Sequence, residues 1–98
     1  MDKDVEMIRK MGNAVVDLQV KYRSSSLSER MEIRPQLEGL LRKYADYQLI
    51  LFRDGVITTE DDLREMVELQ KEIDKAAQTQ QLVKAFAKTI AFVAKKVV

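Results

Sequence analysis

The side chains that most enzymes use for proton transfer and metal binding are missing from this sequence. Histidine and cysteine are absent from its 98 residues, which excludes an imidazole base, a thiolate nucleophile and the usual zinc ligands. The serines crowd into residues 24–28, where a loop and a helix cap explain them better than a catalytic site. The three glycines are far apart, so there is no glycine-rich phosphate loop. We therefore expect a protein that is not an enzyme, with no cofactor and no small-molecule substrate.

Carboxylates are the remaining group with a spacing that suits a cation. Glu65, Glu68 and Glu72 lie on one side of a predicted helix and could bind a hard cation through their oxygens. Lys71 and Lys75 lie close to them, however, and acids three residues from lysines on a helix usually form exposed ion pairs. We interpret this group as a solvated charged face and assign no metal site.

The composition is typical of a folded helical domain, and not of a disordered chain or a membrane-embedded protein. Hydrophobic residues make up 46% and charged residues 34% of the chain, and 17 Lys and Arg balance 16 Asp and Glu. The overall charge therefore gives no general attraction to nucleic acid. Three glycines and one proline indicate long helices with few turns. The acidic first residues predict no secretion signal, and no uncharged apolar run reaches the roughly 18 residues of a membrane span, so we expect a cytoplasmic protein.

The spacing of apolar residues predicts two shorter helices. The first covers residues 2–23, and the second covers 27–54, from a capping box of Ser26 and Glu29 to a terminating Gly55. Pro35 lies inside the second helix and predicts a kink or break there. The two predicted buried stripes are Ile8, Met11, Val15, Leu18 and Tyr22 in the first helix, and Ile33, Leu37, Leu40, Tyr44, Tyr47 and Leu51 in the second.

A third helix is predicted over residues 58–98, beginning at Thr58 or Thr59 as N-cap. It contains no glycine or proline and would extend about 60 Å if unbroken, well beyond its neighbours. The predicted fold is thus all-α, a three-helix bundle of two shorter antiparallel helices and one long C-terminal helix. The polar run Gln78–Gln81 leaves open a break in that long helix.

The overhanging part of the long helix is the predicted interaction surface. Its apolar residues follow coiled-coil spacing from Met66 to Val97, with Gln80 as the polar interruption. Residues 58–81 carry a net charge of −4 and residues 82–98 a net charge of +4, so two antiparallel copies would place opposite charges side by side. We expect an antiparallel homodimer or another protein partner. The predicted interaction residues are Gln80, Val83, Lys84, Phe86, Ala87, Lys88, Ile90, Phe92, Val93, Lys95 and Val97.

Two other functions remain open at this point. The basic amphipathic segment 82–98 could bind an anionic membrane surface as a peripheral helix. The chain could also be a small inhibitor or accessory subunit of a larger complex. We do not expect nucleic acid as a partner, because Glu60, Asp61 and Asp62 open the third helix at the end that a recognition helix presents to phosphate.

Overall fold

The computed structural model describes residues 2–55 and 57–97. Its helices are α1 (Lys3–Arg23), α2 (Leu27–Arg53), α3 (Glu60–Lys75) and α4 (Thr79–Lys96). The all-α prediction is confirmed. The prediction of three helices is wrong, because the expected long helix over 58–98 is divided into α3 and α4; Val98 lies outside the described residues. No described helix combines the length and the apolar character needed to cross a bilayer.

The four helices form a bundle in which α1 lies beside α3 and α2 lies beside α4. Lys3 pairs with Glu60 near the starts of α1 and α3, and Lys21 contacts Ala76 near their ends, so these two helices are parallel. Consecutive helices run in opposite directions, and α1 also packs against α2 and α3 against α4. The result is an elongated body of 41 × 22 × 18 Å.

Helix caps explain where most of these elements begin. The side chain of Asp2 accepts a hydrogen bond from the Asp4 backbone N–H at 2.8 Å. Ser26 caps α2 in a full capping box with Glu29, as predicted, and Thr59 caps α3 in a second box with Asp62. These side chains satisfy backbone donors that the first turn of a helix leaves free.

Two residues of α2 show how backbone chemistry shapes its course. The helix continues through Pro35 without a break. Pro35 lies on the exposed side of α2. Proline has no backbone N–H, and on this side a water molecule can donate the hydrogen bond that the preceding turn would otherwise lack. Gly55 follows the C-cap of α2 with φ +81°, the left-handed conformation that was predicted to close this helix.

The turn between α3 and α4 contains neither glycine nor proline, and side chains hold it instead. The Lys21 Nζ donates to the Ala76 carbonyl oxygen at 2.8 Å, which satisfies an acceptor at the end of α3. The Gln81 Oε1 accepts from the backbone N–H groups of Ala77 and Gln78 at 2.9 and 3.2 Å. Thr79 donates its hydroxyl to Glu29 of α2. The chain therefore reverses at Ala76–Gln78, at the start of the polar run that left a break open.

All four helices contribute to one core. The buried apolar residues are Met7, Met11, Ala14, Val15 and Leu18 of α1; Ile33, Leu40, Tyr47 and Leu51 of α2; Leu63, Met66, Leu69 and Ile73 of α3; Leu82, Ala85, Phe86, Phe92 and Val93 of α4; and Ala76 between α3 and α4. The stripes predicted for the first two helices point into this core, with Ile8, Tyr22, Leu37 and Tyr44 partly buried at its edge.

Candidate interaction surface

The predicted interaction residues of the C-terminal segment do not form one exposed apolar face. Phe86, Phe92 and Val93 are fully or almost fully buried. Val83, Ile90 and Val97 are partly buried against the same core, whereas Gln80 and Ala87 are exposed. The buried side of α4 is rotated relative to the predicted coiled-coil stripe, because the chain reverses at Ala76–Gln78 and the helix restarts in a new phase. The expectation that this segment extends beyond the other helices as an apolar rod is therefore wrong.

Two of the three lysines predicted to supply charge complementarity form ion pairs within one chain. Lys88 pairs with Glu72 at 2.7 Å and Lys95 with Glu65 at 3.0 Å, and both pairs join α4 to α3. Lys95 also lies 5.4 Å from the centre of the Phe92 ring. The antiparallel pairing of acidic and basic segments that was predicted between two copies thus occurs within one chain, in the α3–α4 hairpin. Lys84 is exposed.

The same ion pairs explain the three carboxylates that were considered as cation ligands. Glu65 and Glu72 face lysines of α4, and Glu68 pairs with Lys71 at 3.2 Å, three residues further along α3. Each of these carboxylates therefore has a cationic neighbour from the chain itself. Among the described residues, no group of three or more acidic side chains is arranged to hold a metal ion.

A buried polar cluster lies where the N-terminus of α1 meets the loop before α3. The Asp4 carboxylate accepts hydrogen bonds from the backbone N–H groups of Ile57 and Thr58, the shortest at 2.9 Å. Lys96 pairs with Asp62 at 2.6 Å. Burial disfavours ionisation of Asp62, but the bond and charge of Lys96 and the Thr59 N–H outweigh that effect and lower its pKa. These contacts fasten a loop and the end of α4 to the bundle.

Tyr47 lies beside this cluster, fully buried. Burial raises the pKa of Tyr47 to about 12; the Thr58 hydroxyl offsets part of that rise, and the charges of Asp62 and Asp4 add to it. Among the residues that the structure describes, neither the buried Tyr47 Oη nor the buried Thr58 Oγ1 has a hydrogen-bond partner of normal geometry. A phenol that stays protonated over the whole physiological range is suited to packing rather than to acid–base chemistry.

A line of exposed apolar side chains lies on α2, on a side turned away from the core. Five large side chains are each between 37% and 75% exposed. At 100° per residue they fall within about 80° of one another, along a line of roughly 38 Å. We call this set the outer apolar stripe; it consists of Leu27, Met31, Leu41, Leu49 and Phe52.

Charged residues interrupt the outer apolar stripe near its middle. Arg34 and Glu38 lie between Met31 and Leu41 and form an ion pair at 3.0 Å. Arg42 borders the same region and is exposed. The stripe therefore has two apolar ends and a charged centre, an arrangement that can bind an apolar partner and also fix its position.

Comparisons with protein-family models, with curated proteins and with solved structures found no significant match. The interpretation of the outer apolar stripe as a binding surface therefore comes from the geometry and chemistry of this chain alone.

The sequence does contain a signal for the outer apolar stripe, and it was missed. The second predicted helix carries two apolar stripes, and the one that includes Tyr47 and Leu51 was interpreted as the core. The remaining apolar residues, among them Leu49 and Phe52, repeat at helical spacing on another side of the helix, about 120° away. A helix that is apolar on two sides can pack against two surfaces. In this chain one of them is the core.

Proposed function

We propose that this protein is a non-catalytic interaction or assembly protein that binds another polypeptide through the outer apolar stripe of α2. The observation that carries the proposal is the exposure of Leu27, Met31, Leu49 and Phe52, each at least 65% accessible, although the core is formed without them. An aligned apolar surface of this extent is unfavourable in water, and such surfaces mark interaction sites.

The charges on α2 favour a polypeptide over a membrane. The helix carries four acidic and five basic side chains, whereas a helix that lies on an anionic membrane has a clear basic excess. The basic segment 82–98 gives little support to the membrane alternative, because Phe86 and Phe92 are buried and Lys88 and Lys95 pair with acids of α3.

The shape of the surface favours a helical partner. A straight line of apolar side chains on one long helix matches the apolar face of another helix, with side chains three and four residues apart acting as anchors. Phe52, at 75% exposure, is the largest of these anchors. Aromatic side chains contribute much of the binding energy where they become buried in an interface.

Site-specific photo-crosslinking in cells that express the chain tests this proposal. A photoreactive amino acid at Leu49 is expected to give one discrete crosslinked product, and the same group at the exposed Arg9 of α1 is not. The product should disappear in a Met31→Glu/Phe52→Glu variant. It should persist in the control Val5→Glu, where an exposed apolar residue of α1 is changed.

Fold retention must be checked in these variants by far-UV circular dichroism. Substitutions at such exposed positions are expected to change the free energy of unfolding by no more than about 0.5 kcal/mol. Equal crosslinking from Leu49 and Arg9, or a product that survives the double substitution, would contradict the proposed function.

A further inference from the structure

The outer apolar stripe has the spacing of a coiled-coil seam. Successive positions along it are four and three residues apart in alternation, the repeat at which two helices pack side by side. The positions are Leu27, Met31, Arg34, Glu38, Leu41, Ala45, Gln48 and Phe52, with Leu49 adjacent to Gln48. A second helix can therefore lie along the full length of α2, which extends over most of the 41 Å long axis of the molecule.

Residues of this seam and residues that border it, among them Arg42 and Leu49, are arranged symmetrically about one level of the helix. Met31 and Leu49 lie nine residues to either side of Leu40. Glu38 and Arg42 lie two residues to either side of it. The positions of Leu27 and Phe52 deviate from the same symmetry by one residue. An antiparallel copy of α2 centred at this level would therefore place apolar residues against apolar residues and acid against base.

From this symmetry we propose that the outer apolar stripe binds the same stripe of a second copy of the chain, antiparallel, with the two-fold axis at the level of Leu40. The inference rests on the proposed function and names its partner. Met31 of each copy meets Leu49 of the other, and Glu38 meets Arg42. A two-fold axis forms every such contact twice.

The charges decide between orientations. In a parallel pair in register, Arg34, Glu38 and Arg42 would each meet their own copies, and like charges in contact oppose association. In the antiparallel pair Glu38 gains Arg42 in addition to Arg34 of its own helix. Within residues 2–55 and 57–97, no acidic side chain lies within ion-pair distance of Arg42, so its guanidinium is available to the other copy.

Cysteine crosslinking tests both the pairing and its direction, because the natural chain contains no cysteine. Met31→Cys and Leu49→Cys are made as separate chains of different tagged mass, mixed and oxidised. The mixed disulfide is expected to exceed each disulfide between identical chains several-fold. In the proposed pair the two Met31 positions are about 27 Å apart, too far for a disulfide. A mixture of Met31→Cys with Arg9→Cys is the control for random collision.

Sedimentation velocity supplies the independent measurement. The natural chain is expected to reach twice its mass of 11.3 kDa at micromolar to submillimolar concentration. Arg42→Glu should weaken the association constant several-fold, and the exchange Glu38→Arg/Arg42→Glu should restore most of it. Circular dichroism confirms that both variants remain helical.

The outcomes separate this inference from the proposed function. A preference for disulfides between identical chains, or a single-chain mass at all these concentrations, overturns the antiparallel homodimer. If photo-crosslinking from Leu49 then yields a different polypeptide, the proposed function stands and only the identity of the partner was wrong. If it yields no specific product, both proposals fail.

Discussion

The three phenylalanines of this chain offer a direct test of how α4 is placed. Phe86 is fully buried between α4 and the rest of the bundle, whereas Phe52 on α2 is 75% exposed. Replacing each with alanine removes the same atoms from two opposite environments. If α4 folds back onto the bundle, Phe86→Ala must be strongly destabilising and Phe52→Ala must not.

The expected magnitudes follow from the burial of the two rings. Phe86→Ala loses the transfer free energy of a fully buried ring and leaves a cavity, which together cost about 3 to 5 kcal/mol. A domain of this size has a total stability of roughly 5 to 15 kcal/mol, so this variant loses a large part of it. Phe52→Ala is expected to change the free energy of unfolding by at most about 0.5 kcal/mol.

Urea denaturation followed by circular dichroism at 222 nm measures both values. The protein should be kept as dilute as detection permits, because association would stabilise the folded state and Phe52 lies in the proposed interface. Phe92→Ala serves as a second buried replacement, since Phe92 is only 1% exposed. If Phe86→Ala costs less than about 1 kcal/mol, or no more than Phe52→Ala, then the packing of α4 described above is refuted.

Three further outcomes follow from individual contacts. Hydrogen bonds from the Thr79 hydroxyl and then from the Ser26 cap lower the pKa of Glu29 from 4.5 to about 2. The stability that these bonds provide is present above pH 4.5 and is lost as the pH falls toward 2. Urea midpoints of Glu29→Gln measured across this range should therefore fall less steeply than those of the natural chain. Burial raises the pKa of Tyr47 from 10.0 to about 12. The stability contributed by the protonated Tyr47 is complete below pH 10 and is lost as the pH rises toward 12. Tyr47→Phe should therefore weaken the alkaline dependence of the urea midpoint, and should change the free energy of unfolding at pH 7 by less than about 1 kcal/mol. Lys21→Met removes the donor to the Ala76 carbonyl and should lower the free energy of unfolding by about 1 kcal/mol. The control Lys71→Met, at an exposed position, should lower it by about 0.5 kcal/mol or less. Equal losses in the two variants would argue against the capping role of Lys21.

Local sequence chemistry predicted the elements whose ends are encoded locally. The capping box of Ser26 and Glu29 and the left-handed Gly55 mark the ends of α2 by interactions within a few residues. The core stripes of α1 and α2 follow from helical periodicity alone. Such signals can be read from a single sequence because both partners of each interaction are neighbours along the chain.

The reversal between α3 and α4 could not be found in that way. The Ala76 carbonyl is satisfied by Lys21 of α1, and Thr79 bonds to Glu29 of α2. These partners are about fifty residues away along the chain. The local marks of the turn are its polar residues and the bonds from the Ala77 and Gln78 N–H groups to the Gln81 side chain, and glutamine is not among the residues that usually signal a helix start. The charge pattern was equally ambiguous, because antiparallel acidic and basic segments can pair within one chain or between two.

The candidate surface was missed for a different physical reason. Apolar residues on a helix are most simply explained by the core, and the first stripe found on α2 accounts for its burial. The second stripe, which includes Leu49 and Phe52, becomes informative only once the structure places it outside. Burial on one side of a helix gives no information about the need for a partner on the other.

The turn between α3 and α4 also ties the second half of the chain to the first. Residues 60–96 contain no glycine or proline, and the contacts of Lys21 and Glu29 with this turn come from helices that precede it. Without α1 and α2, the Ala76 carbonyl and the Thr79 hydroxyl would lose these partners. The reversal is therefore a tertiary property of the whole bundle, and we expect that a peptide covering residues 60–96 alone would not be held in this hairpin.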